Sequence, residues 1–177
     1  MGVEYEYQFP EYNKKNIIEL IKKKGGKIVH KRSLYRTVYF YSNDAQQFIR
    51  IRDENRTIVI TKKILRNKEG KHPLEYEIVL SSKDTFDNAI EFVTSIMPKS
   101  GMIKTEKYRE KWSVNNCECH EITFDEWPGL PEYMEIDCTS QKTLDELIKY
   151  FNLSDAHYFR RGVFDYYEKI YHIERKY

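Results

Sequence analysis

Three cysteines among 177 residues are an odd and small number, and they do not make the disulfide framework of a stapled secreted domain. Long apolar runs are missing too, since no stretch approaches the roughly 20 residues needed to cross a bilayer. The opening MGVEYEYQFPEYNKK lacks the basic-then-apolar order of a secretory leader. It also has Glu6 where a myristoylation signal has its hydroxyl. A large excess of one charge is absent: 30 Lys and Arg stand against 28 Asp and Glu, for a net charge of +2. Repeats, low-complexity segments and linkers are lacking as well. These absences predict one soluble, cytoplasmic domain over residues 1–177 with reduced thiols, no membrane partner, and chemistry that depends on how the charges are arranged.

What is present is a chain with 40% hydrophobic and 15% aromatic residues, enough for a substantial core. Alternation of polar with aromatic or β-branched residues predicts strands near 3–9, 27–42, 46–53, 56–65, 74–82, 102–114, 117–126 and 132–139. Turns fall at DENR and NKEGKHP, and Asn115 and Asn116 suit a tight hairpin. Helical spacing predicts helices from Lys14 to the stop at Gly25 and Gly26, over 82–97, over TSQKTLDELIKYFN, and in the tail from Ala156. The class is therefore α+β, an antiparallel sheet of eight strands with peripheral helices, closed into a barrel or tunnel.

Two local features invite functions that their geometry does not favour. Cys117, Cys119 and His120, with Cys138, suggest zinc, but a strand sends Cys119 and His120 to opposite faces and the usual two-residue spacer is missing. The basic run KKNIIELIKKKGGK could meet nucleic acid or an anionic membrane, yet such a helix face is ordinarily just solvated.

A stronger pattern is a set of like-charge pairs spaced by two within strands: Glu4/Glu6, Arg50/Arg52, Glu75/Glu77, Lys107/Arg109 and Glu135/Asp137. One such pair is what a water-facing strand shows. Pairs segregated by sign from strand to strand define an acidic side and a basic side of one surface. Turned inward, the carboxylates offer hard oxygen ligands suited to magnesium or manganese, and the arginine forks suit phosphate oxygens. The implied site is metal-assisted and takes a ligand with several phosphates.

VEYEYQF resembles the N-terminal Glu-x-Glu-x-Lys signature of the CYTH proteins, or triphosphate tunnel metalloenzymes, which include class IV adenylate cyclases, thiamine triphosphatases, inorganic triphosphatases and some RNA triphosphatases. The resemblance continues through FIRIR, a strand ending in TKK, LEYEI, KYREKW, FDEWPGLPEYMEID and HYFRRGVFDYYEKIY. It implies an eight-stranded closed tunnel in which Glu4, Glu6, Asp125, Glu135 and Asp137 bind metal. Arg50, Arg52, Lys62, Lys107 and Arg109 would grip phosphate, with Lys63 as the alternative register to Lys62 and Arg160 or Arg161 as the last cation. Glu4, Glu6, Arg52 and Arg109 would carry the catalysis. Glu75 and Glu77 match a family acidic pair that either supports the metal ligands or orients the basic residues.

One departure stands in the signature: Gln8 occupies the place of the lysine, so an amide donor replaces a charge. The implied activity is metal-dependent hydrolysis of an inorganic, nucleoside or thiamine triphosphate. The alternatives are conversion of ATP to cyclic AMP and pyrophosphate, or a binding module for triphosphate or polyphosphate with little turnover. Nucleic acid enters only as an RNA 5′-triphosphate, and the oligomeric state is left open. Trp127 and Tyr133 are the aromatic candidates for stacking a base, with loop packing the competing role for Trp127.

Overall fold

The structure is a computed structural model and describes residues 2–3, 5–42, 47–55, 57–64, 74–80, 85–97, 101–115, 119–154, 163–169 and 172, with backbone alone at 2, 3, 164 and 169. Glu4, Cys117, Arg160 and Arg161 lie outside the described residues, as do 65–73, 81–84 and 155–162. The elements are β1 (Gly2–Val3), β2 (Tyr5–Phe9), α1 (Lys14–Lys23), β3 (Lys27–Tyr41), β4 (Gln47–Asp53), β5 (Ile58–Ile64) and β6 (Leu74–Leu80). They continue with α2 (Thr85–Ile96), β7 (Met102–Ser113), β8 (Cys119–Glu126), β9 (Tyr133–Cys138), α3 (Gln141–Phe151) and α4 (Val163–Lys169). No helix among the described residues is long and apolar enough to cross a membrane.

The α+β class and the antiparallel sheet are as the alternation predicts, with two corrections. The strand expected over 3–9 is divided, because Val3 pairs with Leu74 of β6 whereas Tyr5 pairs with Cys138 of β9. Among the described residues the ladder therefore has nine segments, the eight expected strands with the first in two parts. Closure by a continuous ladder is not found among the described residues, because the hydrogen-bonded order begins at β1 and ends at β2. Those two strands are neighbours in the chain but not in the sheet.

The chain divides into two compact units, one of residues 1–3 and 33–107 and the other of 4–32 and 108–177. In unit 1 the order is β1-β6-β5-β4-β3, and one face of this sheet packs on α2. Val38, Phe40, Ile51 and Ile58 meet Phe86, Ala89 and Val93, which recur at helical spacing along α2. In unit 2 the order is β7-β8-β9-β2, and its apolar face carries Phe9, Trp112, Ile122, Phe124, Met134 and Ile136 against Ile17 and Ile21 of α1 and Leu144, Leu147 and Phe151 of α3.

Capping explains where these helices begin and end. Asn13 accepts from the Asn16 amide at 3.1 Å to open α1, and Ser140 accepts from the Thr143 amide at 3.2 Å to open α3. Asn152, left-handed at φ 53°, closes α3. At the end of α1, a Cβ on Gly26 would overlap the Ser113 carbonyl oxygen and the Ile21 side chain, so only glycine lets β7 come this close.

Candidate functional site

In both units the sheet face away from the helices, ordinarily the wet one, holds buried charge. Alternation puts Arg50 and Arg52 there in unit 1, while Ile49 and Ile51 turn to the α2 core. The register sets Arg50 across from Thr61 and Thr61 across from Glu77. Arg50 Nη2 donates to Thr61 Oγ1 at 3.2 Å, and Thr61 Oγ1 donates to Glu77 Oε1 at 2.9 Å. Arg52 Nε donates to Glu54 Oε1 at 2.6 Å, both side chains being buried, and its guanidinium lies 5.9 Å from the Tyr35 ring centroid. Arg50 Nε is buried with no hydrogen-bond partner among the described residues.

Register decides which of the paired lysines shares the face of the arginines, and it is Lys63, the alternative, in place of Lys62. Lys62 lies opposite Ile49 and Tyr76, on the α2 face, and is exposed. Lys63 lies opposite Phe48 and Glu75, on the face of Arg50 and Arg52, and makes an ion pair with the buried Glu75. Lys107, also in unit 1, is buried. Glu75 and Glu77 thus both face the cations.

Unit 2 brings together most of the predicted acidic residues in rows across the strands. Glu6 lies opposite Asp137, and Asp137 opposite Glu121. The next row runs Gln8, Glu135, Thr123, Lys111, and the one after it Tyr133, Asp125, Arg109. Arg109, 4% exposed, donates Nε and Nη2 to the two oxygens of Asp125 at 2.6 Å each, and Asp125 is 0% exposed. Its Nη2 also reaches Glu135 Oε1 at 3.1 Å, and its Nη1 reaches Glu121 Oε1 at 3.3 Å. Burial by itself would lower the Arg109 pKa, but the charge and hydrogen bonds of Asp125, then Glu135 and Glu121, outweigh it and hold the pKa well above the ordinary value. Gln8 Nε2 donates to Glu135 Oε2 at 3.2 Å, so the amide at the departure from the signature orients a carboxylate that Arg109 also grips.

Two members of this network escape the motif reading. Glu121 accepts from Arg109 and pairs with Lys111. Lys111 could have been found by extending the Lys107/Arg109 alternation by one step; Glu121 could have been found by stepping back from Asp125 through Thr123. Thr123, 0% exposed, has its Oγ1 without a hydrogen-bond partner among the described residues.

The aromatic candidates serve packing. Trp127 is buried and donates Nε1 to the Tyr133 hydroxyl at 3.2 Å, and the Tyr133 ring lies 4.6 Å from that of Tyr166 on α4. Tyr167 donates to the Pro128 carbonyl, anchoring α4 to the same loop. Burial, then the charges of Asp125 and Glu135, raise the Tyr133 pKa well above the usual phenol value, so the ring stays neutral. Among the described members of the cysteine group, the register sets Cys119 opposite Cys138, but Cys119 donates to the Asp137 carbonyl, Cys138 is buried in the apolar core and His120 is exposed. Among the described residues, no three His, Cys, Asp or Glu side chains are close enough to hold a metal as they stand.

No protein-family model and no curated protein matches the chain. Solved structures do. A Pyrococcus horikoshii OT3 protein superposes with a TM-score of 0.64 at 19% identity, covering 96% of this chain and 98% of its own. A candidate adenylate cyclase from Vibrio parahaemolyticus gives 0.65 at 14% identity, covering 89% and 94%. A candidate adenylyl cyclase from Hippeastrum, described as having a dominant triphosphatase activity, gives 0.53 at 16% identity, covering 90% and 91%. At these identities the likeness is one of fold, and that fold is the α+β architecture which the motif resemblance implies.

Proposed function

We propose that this chain, sharing the fold expected of CYTH proteins, is a metal-dependent enzyme that hydrolyses a triphosphate-bearing substrate. The observation that carries the reading is the orphaned Arg50 Nε, a buried guanidinium donor on the charged face of unit 1 with no acceptor among the described residues. Buried donors are almost always paired in folded proteins, and an anionic ligand oxygen supplies the missing acceptor. Arg52 and Lys63 stand on the same face, each already balanced by a carboxylate that a phosphate can replace. Lys107 and Arg109 are the corresponding cations of β7, with Arg109 held in orientation by Asp125. Asp125 thereby acts as the anchor of Arg109. Arg161, or Arg160 beside it, remains the assignment from the motif for the last cation.

Magnesium or manganese fits the donor set of unit 2. Glu6, Glu121, Asp125, Glu135 and Asp137 outnumber Arg109 and Lys111 on one face, all the donors are hard oxygens, and Glu6 stands directly across from Asp137, where like charges repel. Glu6 and Asp137, with Glu4 two residues before Glu6 in the chain, would hold the metal, and Glu135 would supply a further oxygen from the adjoining row. A bound divalent ion supplies positive charge to phosphate oxygens. Each unit binds and orients through its own residues: in unit 1 the cations neutralise phosphate, and in unit 2 Gln8 and Arg109 fix Glu135, a carboxylate of the kind that positions water for in-line attack on phosphorus.

The test is a panel of inorganic triphosphate, ATP, GTP and thiamine triphosphate with magnesium or manganese, followed for phosphate, pyrophosphate and cyclic nucleotide. Phosphate release is expected; pyrophosphate with cyclic nucleotide would assign cyclisation instead, and binding without product a binding module. Two further results are expected. Magnesium raises the melting temperature of the wild type by binding only the folded state, and Glu4→Gln with Glu6→Gln abolishes that shift together with turnover while leaving the apo protein at least as stable. Lys63→Ala weakens triphosphate binding by about tenfold, the order expected for one charged contact, whereas Lys62→Ala leaves it unchanged, as calorimetry would show.

A further inference from the structure

Strict alternation along β8 would set Cys119 on the polar face, in line with Glu121, Thr123 and Asp125. The pairing with β9 breaks that parity. Cys119 stands opposite Cys138 and Glu121 opposite Asp137, so two steps along β8 answer to one along β9, and the exposed His120 is the extra residue of a bulge. The bulge turns Cys119 over to the apolar side, where it packs against the cluster that contains Cys138, Ile122 and Ile136. Both cysteines are free thiols; Cys119 is half-buried and Cys138 is 0% exposed. Residues directly opposite in an antiparallel pair have Cα atoms about 4.5 to 5.5 Å apart, inside the span of about 4.4 to 6.8 Å that a disulfide bridges. Cys119 Sγ already lies against the partner strand, donating at 3.2 Å to the carbonyl of Asp137, the residue before Cys138.

We propose that Cys119 and Cys138 are a redox-sensitive pair that closes into a reversible disulfide across β8 and β9, with a hydroperoxide as the oxidant. Cys119, the thiol that solvent reaches, attacks the peroxide oxygen; with hydrogen peroxide this gives a sulfenic acid at Cys119 and releases one water. The Cys138 thiol then displaces that oxygen as a second water, and the sulfur–sulfur bond forms. Two thiols lose two electrons to one peroxide, and both thiol protons leave in the waters. A dithiol reverses the step by exchange. In a chain whose thiols are otherwise reduced, such a bond is a transient signal and not a structural staple. The bridge restricts the unfolded chain between its two ends. It also pins the bulge, so that Glu121 is held opposite Asp137 on the polar face. This inference is independent of the triphosphate reading.

The test takes the full chain, reduced, and treats it with hydrogen peroxide at a few equivalents. The thiol count of the denatured protein is expected to fall from three to one. After the remaining thiol is alkylated, cleavage at glutamate separates the cysteines, because Glu118 lies between Cys117 and Cys119, and Glu126 and Glu132 lie between Cys119 and Cys138. The linked peptides are expected to be those of Cys119 and Cys138. The oxidised protein is expected to melt about 5 °C or more above the reduced one, and dithiothreitol to return it. Cys119→Ser and Cys138→Ala each abolish the link and the shift, whereas Cys117→Ser keeps both. If Cys138→Ala fails to fold, the wild-type peptide map and Cys119→Ser decide the matter. Three thiols surviving the peroxide, Cys119 trapped as a sulfinic acid, or a link that runs through Cys117 or joins two chains would overturn the pair. A Cys119–Cys138 bridge that leaves the melting temperature where it was would overturn its action as a lock.

Discussion

Arg109→Ala is expected to lower the free energy of unfolding by about 3 to 5 kcal/mol, the range for removing one partner of a buried ion pair. The reason is what it leaves behind: Asp125 is fully buried, and both its oxygens accept from that guanidinium. Glu135 and Glu121 each lose a donor as well. Urea denaturation measures the loss. Because the cost arises from stranded charge, Arg109→Met combined with Asp125→Leu should recover most of it, since an apolar pair replaces an ion pair at little net expense. An Arg109→Ala protein as stable as the wild type would show that the Arg109–Asp125 pair contributes nothing net to the fold. The double variant is also expected to bind triphosphate poorly, which separates the stabilising role of Arg109 from its proposed role toward phosphate.

The second large effect is expected at Arg52. Arg52→Ala should reduce triphosphate affinity by about 2 to 4 kcal/mol, as for other charged contacts truncated in a partly dehydrated setting. Arg52→Lys should fall between, retaining the charge but losing the planar fork. In the resting protein Arg52 is engaged with Glu54, so ligand binding requires that carboxylate to yield. Glu54→Gln should therefore tighten binding where Arg52→Ala weakens it. Calorimetry with inorganic triphosphate reads all three variants, and equal affinity across them would remove Arg52 from the site.

Much of the fold was legible because strand alternation is a local property. In VEYEYQF and YMEID the polar and apolar residues sort themselves by parity and α1 and α3 cover the apolar one, as α2 covers Ile49 and Ile51 in unit 1, whereas Tyr76 and Ile78 of LEYEI, expected on a covered face, are exposed. The like-charge pairs were legible for the same reason, since residues spaced by two must share a face. The division of the first strand was not, because a chain that changes partners between Val3 and Tyr5 leaves no mark in its alternation. Glu4 and Arg161 lie outside the described residues, and their assignments still rest on the motif.

The sequence by itself determined which residues could share a face, that charge of each sign would gather by strand, and that the class would be α+β. Which charges meet was decided by the pairing of strands distant in the chain. Lys62 and Lys63 are equivalent until β5 is registered against β4 and β6, and a shift of one residue would exchange them. Asp125 looks like any other carboxylate of the acidic set until β7 is laid beside β8 and Arg109 closes on both its oxygens. Trp127 looks like a stacking surface until α4 packs Tyr166 against Tyr133. Parity along one strand is set by the covalent chain, whereas contact across strands depends on register, and register is a property of the folded sheet as a whole.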